Sequence, residues 1–220
     1  MRSPEVIVFD WDGTLVDSAA DIVASMRQAS QSLGVPLPSE QTMRRAIGLG
    51  LAEAFAQIFP ELSTADLQTL MARYREHHRG RPMRVFGQPF AGVDQVLANL
   101  HESGHVLAVA TGKSRAGLDR ALANVPWGRL FKDTRTADES ASKPNPLMLE
   151  QLSLRLCVEP DQILMVGDTT YDMQMAAQFG CAAVGVSWGV HEAQELHDHG
   201  ALSVLDDLSG LPQAIDQHFQ

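Results

Sequence analysis

Short apolar, β-branched runs that close on polar clusters are what most narrows the folds open to this chain. Residues 5–9 (EVIVF) end at Asp10, 106–110 (VLAVA) at Thr111, and 163–166 (ILMV) just before Gly167-Asp168. A fourth run, 182–186 (AAVGV), follows. Runs without polar alternation suit strands covered on both faces. A weaker strand is expected near 133–136 and an edge strand near 202–205. Helical patterns fall between them, over 93–103, 115–124, 146–156 and 171–179. Strand alternating with helix predicts an α/β fold with a doubly wound parallel sheet. Functional groups in such sheets gather at the carboxyl ends of the strands.

One interval breaks the rhythm. Asp10 and Thr111 are 111 − 10 = 101 residues apart, whereas a simple βαβ unit takes roughly 30, leaving about 70 inserted. The insert carries helical periodicity over 20–33, 40–58 and 64–78, with Pro36, Pro38 and Pro60 as breakers. Residues 18–88 are therefore expected to form a small all-helical cap domain, with 1–17 and 89–220 as the core domain. The stretch 87–92, with Pro89, reads as the return linker.

Composition limits the partners. The net charge of −10 disfavours nucleic acid. No run approaches the ~18 apolar residues of a membrane span. The acids at 10 and 12 interrupt the apolar stretch near the N-terminus, so a secretory signal is not expected and a cytoplasmic location is. Cys157 and Cys181 fit no zinc or CxxC spacing, and reduced, packed thiols are expected. The insert holds eight Arg and six acids, a balance of +2, against −12 for the remainder. An acidic body beneath a mildly basic insert suits a divalent cation below and an anionic substrate between.

Four clusters follow strand ends or open helices: Asp10-Trp11-Asp12-Gly13-Thr14, Thr111-Gly112-Lys113, Ser142-Lys143-Pro144 and Gly167-Asp168-Thr169-Thr170-Tyr171-Asp172. Singly, each Asp is an ordinary turn or cap residue. Together, Asp10, Asp12, Asp168 and Asp172 would repel one another unless a hard cation such as Mg²⁺ joined them. Thr111 and the Gly112 N–H suit an anion, and Lys143 suits phosphate oxygens. Asp17 reads as a helix cap, Pro146 as a first-turn residue, and His77 and His78 as surface residues. His191, His197 and His199 have no evident ligand partners, which argues against a histidine metal site.

These residues resemble the haloacid dehalogenase-like hydrolases, in particular the phosphoglycolate phosphatase-like branch, over nearly the whole chain. The resemblance implies a Rossmannoid core with Asp10 as nucleophile, Asp12 as general acid/base, and Thr111, Gly112 and Lys143 on the phosphoryl group. It implies Mg²⁺ held by Asp10, the Asp12 carbonyl and Asp168, with Asp172 one shell further out. Acid at position 12 favours phosphate esters over carbon–halogen bonds. Arg44 or Arg45 resembles a cap residue facing the substrate.

The expected function is hydrolysis of a small phosphorylated metabolite, phosphoglycolate-like or a sugar phosphate, through an aspartyl-phosphate. A β-phosphoglucomutase-like mutase is the enzymatic alternative, and a receiver-like or degenerate binding protein the non-enzymatic one. The expected assembly is a monomer or a homodimer.

Overall fold

Strand β1 (Val6–Phe9) runs through the middle of a six-stranded sheet in the computed structural model, which describes residues 3–79 and 87–219. On one side of it lie β4 (Val106–Thr111) and β5 (Phe131–Thr136). On the other lie β6 (Ile163–Gly167), β7 (Ala182–Val186) and β8 (Val204–Leu205). Every pairing in this sheet is parallel.

Period-two alternation assigns each strand residue to a face. Ile7, Phe9, Leu107, Val109, Leu164 and Val166 join one apolar cluster. Val6, Val8, Ala108, Ala110, Ile163 and Met165 join the other. Helices α5 (Val93–Glu102) and α10 (Leu211–His218) cover the first face, and α7 (Leu147–Leu156) and α8 (Thr170–Phe179) the second. Burial on both sides explains why these strands read as unbroken apolar runs.

The connection from β1 leads to β4 on one side, and that from β6 leads to β7 on the other. The chain thus reverses its winding between β1 and β6, where a crevice opens at the carboxyl edge. Asp10 and Asp168 stand at that crevice, and the Asp10 N–H bonds the Val166 carbonyl at 2.9 Å.

Between β1 and β4 the chain makes four helices: α1 (Ala19–Leu33), α2 (Glu40–Arg45), α3 (Leu51–Ile58) and α4 (Thr64–Arg79). They share a cluster of their own, built on Met26, Met43, Phe55, Phe59 and Leu70. Residues 80–86 of the expected insert lie outside the described residues. The chain leaves and re-enters the core side by side, as β2 (Val16–Asp17) pairs antiparallel with β3 (Gln88–Pro89).

Several local expectations differ. The helix expected over 40–58 is two helices, because Gly48 and Gly50 each cost about 1 kcal/mol against Ala in a helix, and Gly50 caps α3 instead. Asp17 lies in β2 rather than capping, and Ser18 holds the cap position of α1. Pro146 is the cap of α7, one position before the expected first turn. Cys157 is exposed rather than packed, and both cysteines are free.

Leu107 is fully buried, whereas Leu154 is 78% exposed on α7. Leu107→Ala is expected to cost about 2–5 kcal/mol of unfolding free energy, and Leu154→Ala less than about 0.5 kcal/mol. Urea denaturation followed by circular dichroism checks both, and equal costs would contradict this placement of the core.

Candidate active site

Asp10, Asp168 and Asp172 are fully or almost fully buried, and each puts a carboxylate oxygen within 4.8 Å of the others. Lys143 is buried among them. Its Nζ lies 2.6 Å from Asp172 Oδ1, a well-aligned hydrogen bond, and 2.9 Å from Asp10 Oδ1. Neither Asp10 oxygen receives an aligned hydrogen bond.

The other two acids are more occupied. Asp168 Oδ1 accepts from the Thr14 hydroxyl at 2.9 Å, and its Oδ2 from the Val190 N–H at 3.0 Å. Asp172 Oδ2 accepts from both the N–H and the hydroxyl of Thr169, while its Oδ1 is taken by Lys143. Free lone pairs therefore decrease from Asp10 to Asp168 to Asp172. Close approach requires Gly13, at φ 85: a Cβ there would meet Asp168 Oδ2 at 2.2 Å.

Burial pushes the Asp10 carboxyl up to about 7, with the Lys143 charge opposing and those of Asp172 and Asp12 adding. Burial also raises Asp168 well above the usual carboxylate value, helped by Asp10 and Asp172. Burial works to lower Lys143, but the adjacent Asp10 and Asp172 outweigh it and hold the ammonium charged. Three buried carboxyls thus face one buried cation. Oxygen-only donors, with Asp10 Oδ2 free and Oδ1 facing only Lys143, fit a hard divalent ion.

Asp12 faces a different neighbourhood. Its Oδ1 accepts from the Ser18 hydroxyl at 2.5 Å and meets Lys113 Nζ at 2.8 Å. Thr111 ends β4 fully buried. Gly112 precedes rather than opens its helix: α6 (Arg115–Ala123) is capped by Ser114. The cap loop comes down over Gly112, where a Cβ would meet the Leu49 carbonyl at 2.3 Å. Beside these groups lies a cavity of about 800 Å³, lined by both cap and core and reaching Asp10, Asp12, Thr111 and Lys113.

A family model described as haloacid dehalogenase-like hydrolase matches residues 7–186. The chain belongs to the haloacid dehalogenase-like hydrolases. The "Probable phosphatase IndB" of Dickeya dadantii is 36% identical over 210 residues, covering 93% of this chain and 90% of that protein. The phosphoglycolate phosphatase of Vibrio cholerae is 29% identical over 223 residues, 98% of each chain. A solved haloacid dehalogenase-like hydrolase from Streptococcus pneumoniae superposes with a TM-score of 0.83 at 26% identity, covering all of both chains. This hydrolase is therefore of the phosphoglycolate phosphatase-like branch, and its reaction class is phosphoric monoester hydrolysis.

The cap of this hydrolase corrects two sequence expectations. Arg45 turns to the core, pairing with Glu195 at 2.7 and 3.2 Å, and Arg44 is half-buried; neither lines the cavity. His78 is half-buried and lines the cavity instead of the surface, stacked on Tyr74 with ring centroids 5.2 Å apart. Lys113 stood inside a motif without an assigned role; Arg75 and Arg120 carried no motif signal.

Burial raises the Asp10 carboxyl from the ordinary 3.8 to about 7. The folded state then binds more protons than the unfolded chain between those values. Stability is full below the ordinary value and is lost as pH rises through the folded one. In chelator, Tm is expected to fall from pH 5 to 8, more steeply for the wild type than for Asp10→Asn; identical slopes would contradict the upward shift that burial gives this carboxyl.

Proposed function

We propose that the chain hydrolyses a small phosphomonoester through an aspartyl-phosphate formed on Asp10. The observation that carries this reading is Asp10 itself. It is buried at the end of β1 with no aligned donor on either oxygen, stands 2.9 Å from the Lys143 ammonium, and opens on the cavity.

The Asp10 and Asp168 carboxylates and the Asp12 main-chain carbonyl would hold Mg²⁺. When bound, the ion neutralises negative charge on the phosphoryl oxygens and on the acid cluster. Asp172, both of whose oxygens are already engaged, would orient Lys143 rather than bind the ion.

In the first half-reaction an Asp10 carboxylate oxygen attacks phosphorus, and the bond from phosphorus to the ester oxygen breaks. The Asp12 carboxyl gives its proton to the leaving alkoxide. In the second, the Asp12 carboxylate takes a proton from water as that water attacks phosphorus. The bond from phosphorus to Asp10 breaks, releasing phosphate and restoring the nucleophile. Lys143 has three N–H donors, of which Asp172 and Asp10 face two, leaving one for a phosphoryl oxygen. The Thr111 hydroxyl and the Gly112 N–H supply further donors where negative charge develops.

Having a carboxyl at position 12 gives the leaving alcohol a proton source, which an ester needs and a halide does not. Phosphoglycolate and a sugar phosphate are both candidate substrates.

Asp10→Asn is expected to lower phosphate release by at least about a thousandfold, with an unchanged circular dichroism spectrum. Mg²⁺ added to chelated wild type at neutral pH is expected to raise Tm, and Asp168→Asn to weaken that rise. Near-native turnover by Asp10→Asn would overturn the nucleophile. Isomerised product in place of free phosphate would convert the reading to a mutase.

A further inference from the structure

The cavity is larger than a phosphate group and two carbons require. At about 800 Å³ it falls in the range, roughly 300–1,000 Å³, that holds drug-sized ligands. Beyond Asp10 its walls turn apolar, with Ile22 and Met26 from α1, Tyr74 from α4, Ala121 from α6 and Val125 just after it.

Two arginines line it from opposite bodies, Arg75 on cap helix α4 and Arg120 on core helix α6. The Arg120 Nε donates to the Ala116 carbonyl at 3.2 Å, one turn back along its helix. That bond holds the guanidinium against α6 and leaves its Nη groups for another partner. Among the described residues, neither arginine has an acid partner. In a chain of net charge −10 that is a notable surplus, since Arg27, Arg45, Arg73, Arg115, Arg135 and Arg155 all have one. Arg44 and Arg129 are likewise without an acid, but they lie outside the cavity.

The cavity acids do not cancel the pair. Asp12 meets Lys113, Asp10 meets Lys143, and Asp138 accepts from the Arg115 N–H and the Thr136 hydroxyl. Glu53, on α3, is left. Planar guanidinium groups facing one space are suited to a carboxylate or a phosphate.

We propose that this cavity takes phosphomonoesters whose alcohol is an extended, partly apolar group ending in a second anion, received by Arg75 and Arg120. The proposal rests on Asp10 as the site of phosphoryl transfer. The reacting phosphate sits at Asp10, the spacer lies against Tyr74 and Met26, and the far anion reaches α6 at least one turn, about 5 Å, past its start.

The test compares three six-carbon esters that differ at the far end, with phosphoglycolate as the short reference. Phosphate release is measured from phosphoglycolate, hexyl phosphate, ω-phosphooxyhexanoate and hexanediol bisphosphate; the last two distinguish a carboxylate from a phosphate as the second anion. For wild type, kcat/KM on at least one of the long dianionic esters is expected to exceed that on hexyl phosphate and on phosphoglycolate by about tenfold, the worth of one charge-assisted hydrogen bond. Arg75→Gln and Arg120→Gln are each expected to pull the ratio to hexyl phosphate toward one, chiefly through KM, and Arg120→Lys to restore part of it. A wild type without the preference, or variants that keep the wild-type ratio, would overturn the proposal. Absence of phosphate release from every ester would instead overturn the assignment of Asp10, and this proposal with it.

Discussion

Three buried carboxyls against one buried ammonium is the constraint on which the site depends. Asp10, Asp168 and Asp172 cannot all be ionised beside Lys143 alone without a large electrostatic cost. The fold does not spread that cost evenly. Thr14 and Val190 satisfy Asp168, and Thr169 and Lys143 satisfy Asp172. Asp10 keeps the most lone pairs free of aligned donors, with Lys143 beside one of its oxygens, and among the described residues Asp168 has no cation paired with it.

The cap is fastened around this centre by contacts between elements distant in sequence. The Gly50 N–H donates to the Ser142 hydroxyl at 2.7 Å, beside Lys143. The Arg45 carbonyl accepts from the Tyr171 hydroxyl at 3.1 Å and meets His191 Nε2 at 3.2 Å. His191 Nδ1 accepts from the Thr170 N–H, so the proton of a neutral ring sits on Nε2 and is donated to Arg45. Burial lowers the pKa of that imidazole, which favours the neutral form this geometry needs. The Arg45 side chain, paired with Glu195, completes the attachment. An arginine near a cap loop therefore serves to seat the loop, while the cavity is lined by arginines from other helices.

The sheet was legible because burial on both faces leaves a mark in sequence. Residues 6–9 and 106–110 are apolar at every position, and the polar clusters after them locate the carboxyl edge. The long interval between Asp10 and Thr111 gave the cap for a similar reason: it cannot be a simple crossover. The β2–β3 pairing was not legible, because a two-residue strand has no period. Nor was the turn of Arg45 toward Glu195, since the two are separated by 150 residues and neither carries a motif. Arg75 and Arg120 carried no signal and His78 read as a surface residue, and only the lining of one space by α4 and α6 brings them together.

Trp11 illustrates how a position between motif residues still shapes the chemistry. Side chains alternate along an extended segment, so Asp10 and Asp12 point one way and Trp11 the other. Trp11 is 2% exposed, packed in the aromatic cluster with Trp127 at 5.3 Å and Phe131 at 6.3 Å between ring centroids. Burying that indole on the core side commits both aspartates to the crevice. Beyond that commitment their surroundings diverge. Asp10 stays beneath, against Lys143, while Asp12 meets Ser18 and Lys113 at the cavity wall. Two carboxylates, two residues apart, are thus given different neighbours, one a buried ammonium among acids and the other a hydroxyl and an ammonium at the cavity wall.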